Sequence, residues 1–84
     1  MLNYLVETYV PGAHAQDARA AGQRARSAAR DVTRSGDPVR HVRTTFVPGD
    51  ETCFHVFEAA SYAAVVEVCR LAEIESPRIV PVVE

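Results

Sequence analysis

The sequence has no lysine, only two cysteines and no long apolar run. Its nine basic residues are all arginines and are outnumbered by eleven acidic residues, which gives a net charge of −2 at pH 7. Nucleic-acid-binding domains usually carry a strongly basic face, so this balance argues against a nucleic-acid partner. The two cysteines, Cys53 and Cys69, are too few for a disulfide framework and indicate a reducing compartment.

Two other kinds of pattern are missing from the sequence. No stretch approaches the roughly 20 apolar residues of a membrane helix, and the N-terminus lacks the pattern of a signal peptide. We therefore expect a cytoplasmic protein with no membrane partner. The linear signatures of common enzymes are also missing: a Gly-rich phosphate loop, paired CxxC motifs, a nucleophile elbow and a zinc-binding HExxH helix.

At 84 residues the chain is expected to form a single domain, 1–84. Hydrophobic periodicity and Pro/Gly breaks predict strands at 2–10, 39–47, 52–59 and 78–83, and helices at 15–35 and 62–73. The βαββαβ order predicts an α+β, ferredoxin-like fold. We expect an antiparallel sheet of order 4-1-3-2 with both helices on one face.

Both faces of the predicted sheet carry apolar side chains, yet two helices cover only one face. In the first strand Tyr4 and Val6 point one way and Leu5 and Tyr9 the other. An uncovered apolar face of this size is a liability in a monomer. We therefore expect a homodimer that packs sheet on sheet through the open face, or a small-molecule ligand bound there.

Metal-capable side chains are concentrated on the predicted hairpin that contains strands two and three. Cys53 and His55 are two residues apart on one strand, so they share a face. A thiolate and an imidazole suit a borderline ion such as Ni²⁺, Zn²⁺ or Cu²⁺. Two ligands are too few for a tight site, but a symmetric dimer would supply four. His41, on the neighbouring strand, is the next candidate ligand.

The register of the hairpin leaves a second arrangement open. If Val47 pairs with Thr52, regular pairing puts His41 opposite Glu58, on the same face as Arg43. A shift of one residue would move His41 to the other face. A histidine beside a carboxylate and an arginine could transfer a proton on an anionic or carbonyl substrate, with His41 as general base, Glu58 as its orienter and Arg43 as an anion anchor.

Several motifs resemble those of a family of small, mainly actinobacterial proteins grouped as a domain of unknown function. They are Tyr4-Leu5-Val6-Glu7 before Pro11-Gly12, Gly36-x-Pro38-Val39-Arg40, Val47-Pro48-x-Asp50-Glu51-Thr52-Cys53-Phe54 and Phe57-Glu58-Ala59-Ala60-Ser61. The resemblance implies a dimeric ferredoxin-like fold and, from one branch of the family, nickel binding. Dimeric proteins of this fold also include isomerases and cofactor-free oxygenases.

The chain departs from the nickel-binding branch at three positions. His55 stands where that branch has a cysteine between two aromatic residues, and Arg43 and Val68 stand where it has histidines. The resemblance and the residues together predict a homodimeric protein that binds nickel or another divalent transition metal through Cys53, His55 and His41. The alternative is a small-molecule enzyme that uses His41, Glu58 and Arg43.

Overall fold

The computed structural model describes residues 1–83; Glu84, the last residue of the predicted domain, lies outside them. The elements follow the order β-α-β-β-α-β. The strands are β1 (Leu2–Tyr9), β2 (Val39–Val47), β3 (Thr52–Ala59) and β4 (Arg78–Val82), and the helices are α1 (Ala15–Arg34) and α2 (Tyr62–Leu71). A short 3₁₀ turn, Pro48–Asp50, joins β2 to β3.

The four strands form one sheet with the order β2-β3-β1-β4. Every neighbouring pair is antiparallel. This is the predicted 4-1-3-2 order read from the opposite edge, so the ferredoxin-like α+β prediction is confirmed. Pro81 lies on β4, an edge strand, where its missing N–H does not interrupt the sheet.

Helix α1 packs on the sheet through small side chains. Its buried residues are Ala18, Gly22, Ala25, Ala28, Ala29 and Val32. The helix ends at Arg34, and two residues later Gly36 has a φ of +111°, a conformation that glycine adopts without a Cβ clash, as the sequence predicted. Within residues 1–83, neither this helix nor α2 combines the length and the apolar character needed to cross a membrane.

Helix α2 begins as predicted and ends two residues earlier. The Ser61 side chain caps its first turn by accepting a hydrogen bond from the Ala64 N–H at 3.2 Å. At the other end, Glu73 has a φ of +57°, and the Ile74 N–H donates to the Cys69 carbonyl at 2.9 Å. This is the helix-ending motif that usually carries glycine, and a glutamate at this position gave no sequence signal.

One hydrophobic core lies between the helices and the sheet face that they cover. The sheet contributes Tyr4 and Val6 from β1 and Phe57 and Ala59 from β3, and α2 contributes Val65 and Val68 among others. These side chains alternate along their strands with residues of the other face, as period-2 geometry requires. The helix-covered face therefore also receives Cys53 and His55, which belong to the same alternating set on β3.

A β-bulge in β2 changes which residues share a face. Val47 pairs with Thr52 and Thr44 with His55, as regular pairing from the turn predicts. Between His41 and Arg43 the register shifts by one residue, so Val42 has no partner of its own and His41 lies opposite Phe57. The expected pairing of His41 with Glu58 is therefore wrong, because the bulge moves His41 to the helix-covered face.

The opposite sheet face is uncovered and has an apolar centre. Leu5 lies between Val56 and Val80 in the strand register, and Phe54 and Val82 extend the patch. Ion pairs between Arg78 and Glu7 and between Arg40 and Glu58 flank it. A homodimer through this open face stays a prediction.

Candidate functional site

Four polar side chains form a continuous hydrogen-bonded row on the helix-covered face. The Thr44 Oγ1 lies 2.8 Å from His41 Nε2 and 2.7 Å from His55 Nδ1. The other nitrogen of the His55 ring, Nε2, lies 3.6 Å from Cys53 Sγ. We call these four residues the polar cluster. The bulge at Val42 is what adds His41 to the pair that the sequence predicted on β3.

The polar cluster is enclosed by the fold. His55 and Cys53 are at most 1% exposed and His41 is 8% exposed. Buried polar atoms need hydrogen-bond partners, and the cluster supplies most of them internally. Within residues 1–83, the one fully buried side-chain nitrogen or oxygen left without a partner is His41 Nδ1.

Helix α1 crosses directly above Thr44 at Gly22. A Cβ added to Gly22 would lie 2.9 Å from Thr44 Oγ1 and 3.1 Å from Thr44 Cβ, closer than side chains normally approach. Only a glycine therefore lets the helix pass this close to the hydroxyl that joins the two histidines. Sequence reasoning missed both residues, although a lone glycine inside a helix that is otherwise rich in alanine is a known signal of close packing.

Two cavities lie on opposite sides of α1, one at each end of the polar cluster. The first, here the Cys53 cavity, has a volume of about 260 Å³ and is lined by Cys53, His55, Arg24 and residues of β1 and of the loop after α2. The second, here the Arg26 cavity, has a volume of about 360 Å³ and is lined by Arg26, His41, Thr44 and others. The cluster thus connects two cavities beneath one helix.

The cluster is uncharged near neutral pH. Burial first, and then the nearby His41 and Arg24, together lower the pKa of His55 to about 4. Burial, and then the charge of Arg26, also lower the pKa of His41. Burial raises the pKa of the Cys53 thiol. Neutral imidazoles are the form in which histidine binds metals.

A single hydroxyl proton links the two histidines. Thr44 has one O–H to donate, so it donates to one imidazole and accepts from the other. In one arrangement Thr44 accepts from the Nδ1–H of His55, so His55 Nε2 has no proton and its lone pair faces Cys53. Thr44 then donates its own proton to His41 Nε2, and the proton of the neutral His41 ring is on Nδ1. The opposite arrangement puts the proton of His55 on Nε2. The state of one ring therefore fixes the state of the other.

The three predicted metal ligands share a face but do not converge. Cys53 lies beside one nitrogen of the His55 ring, and His41 is bonded through Thr44 to the other nitrogen. Across residues 1–83, no group of three or more His, Cys, Asp or Glu side chains is placed to hold a metal ion. Because Cys53 and His55 lie under α1, a sheet-on-sheet dimer would not bring two such pairs together.

The three residues of the alternative catalytic arrangement are separated. The Glu58 carboxylate accepts from the Arg40 guanidinium, with Nε 2.9 Å from Oε1. Arg43 is exposed and lies opposite Val56, on the open face. His41 points to the other side of the sheet. The Glu58 carboxylate is therefore not placed where it could orient His41.

Comparisons of the chain with protein-family models, with curated proteins and with solved structures found no match.

Proposed function

We propose that the protein binds a divalent transition-metal ion with Cys53 Sγ and His55 Nε2 as its two protein ligands, inside the Cys53 cavity. The observation that carries this proposal is the pairing of these two atoms, 3.6 Å apart, on the wall of a cavity that can admit a further ligand. A thiolate and a neutral imidazole are donors that borderline ions accept.

The separation of the two atoms favours a tetrahedral ion. With a metal–sulfur bond of about 2.3 Å and a metal–nitrogen bond of about 2.0–2.1 Å, tetrahedral geometry puts sulfur and nitrogen about 3.5–3.6 Å apart. Square-planar geometry, which Ni²⁺ and Cu²⁺ often adopt, would put them about 3.1 Å apart. The separation of 3.6 Å fits the tetrahedral value, so Zn²⁺ or Co²⁺ suits this pair better than square-planar nickel.

The surroundings of the pair resemble the outer shell of a metal site. Histidines that bind metals usually donate their second ring N–H to a fixed acceptor, which holds the ring and its tautomer in place. Thr44 Oγ1, 2.7 Å from His55 Nδ1, is such an acceptor, and His41 supports Thr44 in turn. We assign His41 to this outer shell rather than to the ligand set.

Two protein ligands leave about two positions of a tetrahedral ion for other donors. The Cys53 cavity, at about 260 Å³, has room for water or a small molecule beside the pair. The proposed site is therefore an open one, typical of metal centres that bind or transform a ligand. Its affinity for the ion alone is expected to be lower than that of a closed structural zinc site.

The test is a cobalt titration of the untagged, metal-free protein, followed by absorption spectroscopy. Co²⁺ bound by a thiolate in tetrahedral geometry gives a sulfur-to-metal charge-transfer band and intense visible bands at one ion per chain. Cys53→Ser should remove the charge-transfer band, and His55→Asn should weaken binding at least tenfold. The matched controls are Cys69→Ala, which removes the other cysteine, and His14→Gln, which removes an exposed histidine.

Two results would reject the assignment. One is a charge-transfer band that survives in Cys53→Ser or disappears in Cys69→Ala. The other is the absence of any saturable cobalt spectrum in wild-type protein whose fold is intact by circular dichroism.

A further inference from the structure

The Arg26 cavity is a second, separate concave site, between α1 and the edge strand β2. It lies on the opposite side of α1 from the Cys53 cavity and has a volume of about 360 Å³. Helix α1 supplies arginines at 19 and 26, two turns apart on one side of the helix. The strand supplies His41, Thr44 and Phe46 as the floor. This volume falls in the range of small-molecule pockets.

The charged side chains that line this cavity are all basic. Although the whole chain has more acidic than basic residues, no Asp or Glu of residues 1–83 lines it. The wider groove next to it shares Arg26 and His41, adds Arg30, Arg34 and Arg40, and likewise has no acidic lining residue within that range. Arg34 and Arg40 are paired with Asp31 and Glu58. Within residues 1–83, Arg19 and Arg26 form no ion pair with a carboxylate, so their charges are uncompensated.

His41 supplies a second, independent observation. Its Nδ1 is the buried polar atom that has no partner within residues 1–83, and its side chain lines the Arg26 cavity. A buried donor or acceptor left unpaired costs about 1–3 kcal/mol, so such an atom marks a place where a partner is missing. Arg26 is close enough for its charge to lower the pKa of His41. His41 is neutral near pH 7, so an oxyanion beside both residues would be attracted by the Arg26 charge. It would accept a hydrogen bond from His41 in the tautomer that carries the proton on Nδ1.

We propose that the Arg26 cavity binds a small organic oxyanion, a carboxylate or a phosphate ester, held by Arg26 and His41. The planar guanidinium of Arg26 can donate two parallel hydrogen bonds to such a group. Phe46 gives the apolar part of the ligand a surface to contact, and Arg19, about 10 Å further along the helix, attracts a second negative group on a longer ligand. This site can bind the oxyanion in the metal-free protein.

The test is a titration of the metal-free, full-length protein followed by backbone amide NMR at pH 7 and constant ionic strength. The probes are inorganic phosphate, phenyl phosphate and benzoate, with chloride as the control anion. We expect saturable shifts at the amides of residues 19–26 and 41–46. Tighter binding of phenyl phosphate or of benzoate than of inorganic phosphate would identify which class of oxyanion the site prefers.

Charge-neutralising variants locate the site. Arg26→Gln should weaken binding of the preferred probe at least tenfold. The matched control Arg43→Gln removes the same charge from the open face and should leave affinity within twofold. Arg26 is exposed, so its replacement should leave the fold intact, which the spectrum of the free variant checks.

The proposal is overturned by any of three results. The first is that chloride produces the same shifts at the same concentration, which would indicate a general salt effect. The second is that Arg43→Gln weakens binding as much as Arg26→Gln does. The third is that all three probes fail to give saturable shifts at residues 19–26 and 41–46.

Discussion

Replacing Gly22 by alanine should destabilise the protein, although a helix considered alone predicts the opposite. Gly22 lies well inside α1, where alanine is more favourable than glycine by about 1 kcal/mol. The added methyl group would lie 2.9 Å from Thr44 Oγ1 and 3.1 Å from Thr44 Cβ. Either Thr44 or the helix must move.

The structure allows an estimate of how much this steric conflict lowers the free energy of unfolding. Thr44 is β-branched, so its side chain is stiff, and its hydroxyl is held between His41 and His55. Overfilling a packed site costs about 1–3 kcal/mol, and each lost hydrogen bond in the cluster adds about 1 kcal/mol. With one hydrogen bond lost, and after subtracting the helix gain of about 1 kcal/mol, we expect a net loss of about 1–3 kcal/mol.

Urea denaturation of the metal-free protein measures this loss. Ser27→Ala is the matched control, because Ser27 is exposed on the same helix and its replacement should stabilise slightly. The sharper comparison is a double-mutant cycle with Thr44→Ala, which removes the obstructing hydroxyl and methyl groups. In that background the 2.9 Å contact with the hydroxyl is gone and only the 3.1 Å approach to the Cβ of residue 44 remains. The loss caused by Gly22→Ala should therefore be smaller by about 1 kcal/mol than in the wild-type background.

A stabilising effect of Gly22→Ala in the wild-type background would refute the close approach of α1 to Thr44. An equal loss in the wild-type and Thr44→Ala backgrounds would show that the Thr44 hydroxyl is not the group in conflict. Either result would also weaken the assignment of Thr44 as the bridge between the two histidines.

Two further predictions concern pH and assembly. Burial raises the pKa of the Cys69 thiol from 9.0 to about 11. The folded state therefore holds this proton to a higher pH than the unfolded state does. The contribution of this thiol to the free energy of unfolding is fully present below pH 9 and is lost as the pH rises through 11. Two pKa units correspond to about 3 kcal/mol, and Cys69→Ala should flatten this part of the curve of unfolding free energy against pH. If the open face forms a homodimer, light scattering should give twice 9.2 kDa, and Val80→Arg should halve that mass without changing cobalt binding, because Val80 lies on the face opposite Cys53. A wild-type mass of 9.2 kDa at working concentration would contradict the dimer. If Cys69→Ala lost as much unfolding free energy at alkaline pH as the wild-type protein, the assignment to this thiol would be wrong.

The fold could be predicted because local signals in this sequence agree with one another. The breaks at Pro11-Gly12 and Ser35–Pro38 separate strand-like from helix-like periodicity, and in a chain this short the βαββαβ order leaves few right-handed arrangements. The end of α2 was harder to predict from the sequence. Glu73 adopts a left-handed conformation that the sequence signals only when glycine or asparagine is present.

The candidate site was only partly predictable, and the bulge at Val42 is the reason. Period-2 alternation correctly puts Cys53 and His55 on one face, because β3 is regular. Counting back from the turn works as far as Arg43 and then fails at Val42, since one unpaired residue reverses the facing of everything before it. Nothing in Val-Arg-His-Val-Arg marks this residue. Regular pairing therefore gave a His41–Glu58 pair as one of two possible arrangements, whereas the structure links His41 to His55 through Thr44.

The bulge and Gly22 together explain why one threonine can link two sites. The bulge turns His41 inward, and the absence of a side chain at Gly22 lets α1 close over Thr44. The Cys53 cavity and the Arg26 cavity lie on opposite sides of this helix, with Thr44 between Cys53 and His41 in the hydrogen-bonded row. A metal held by His55 Nε2 would leave the proton of His55 on Nδ1, where it donates to Thr44. Thr44 would then donate to His41 Nε2, which leaves the proton of His41 on Nδ1, the donor that an oxyanion in the Arg26 cavity needs. Each proposed ligand thus favours the same arrangement of protons, and thermodynamic linkage requires that each strengthen the binding of the other.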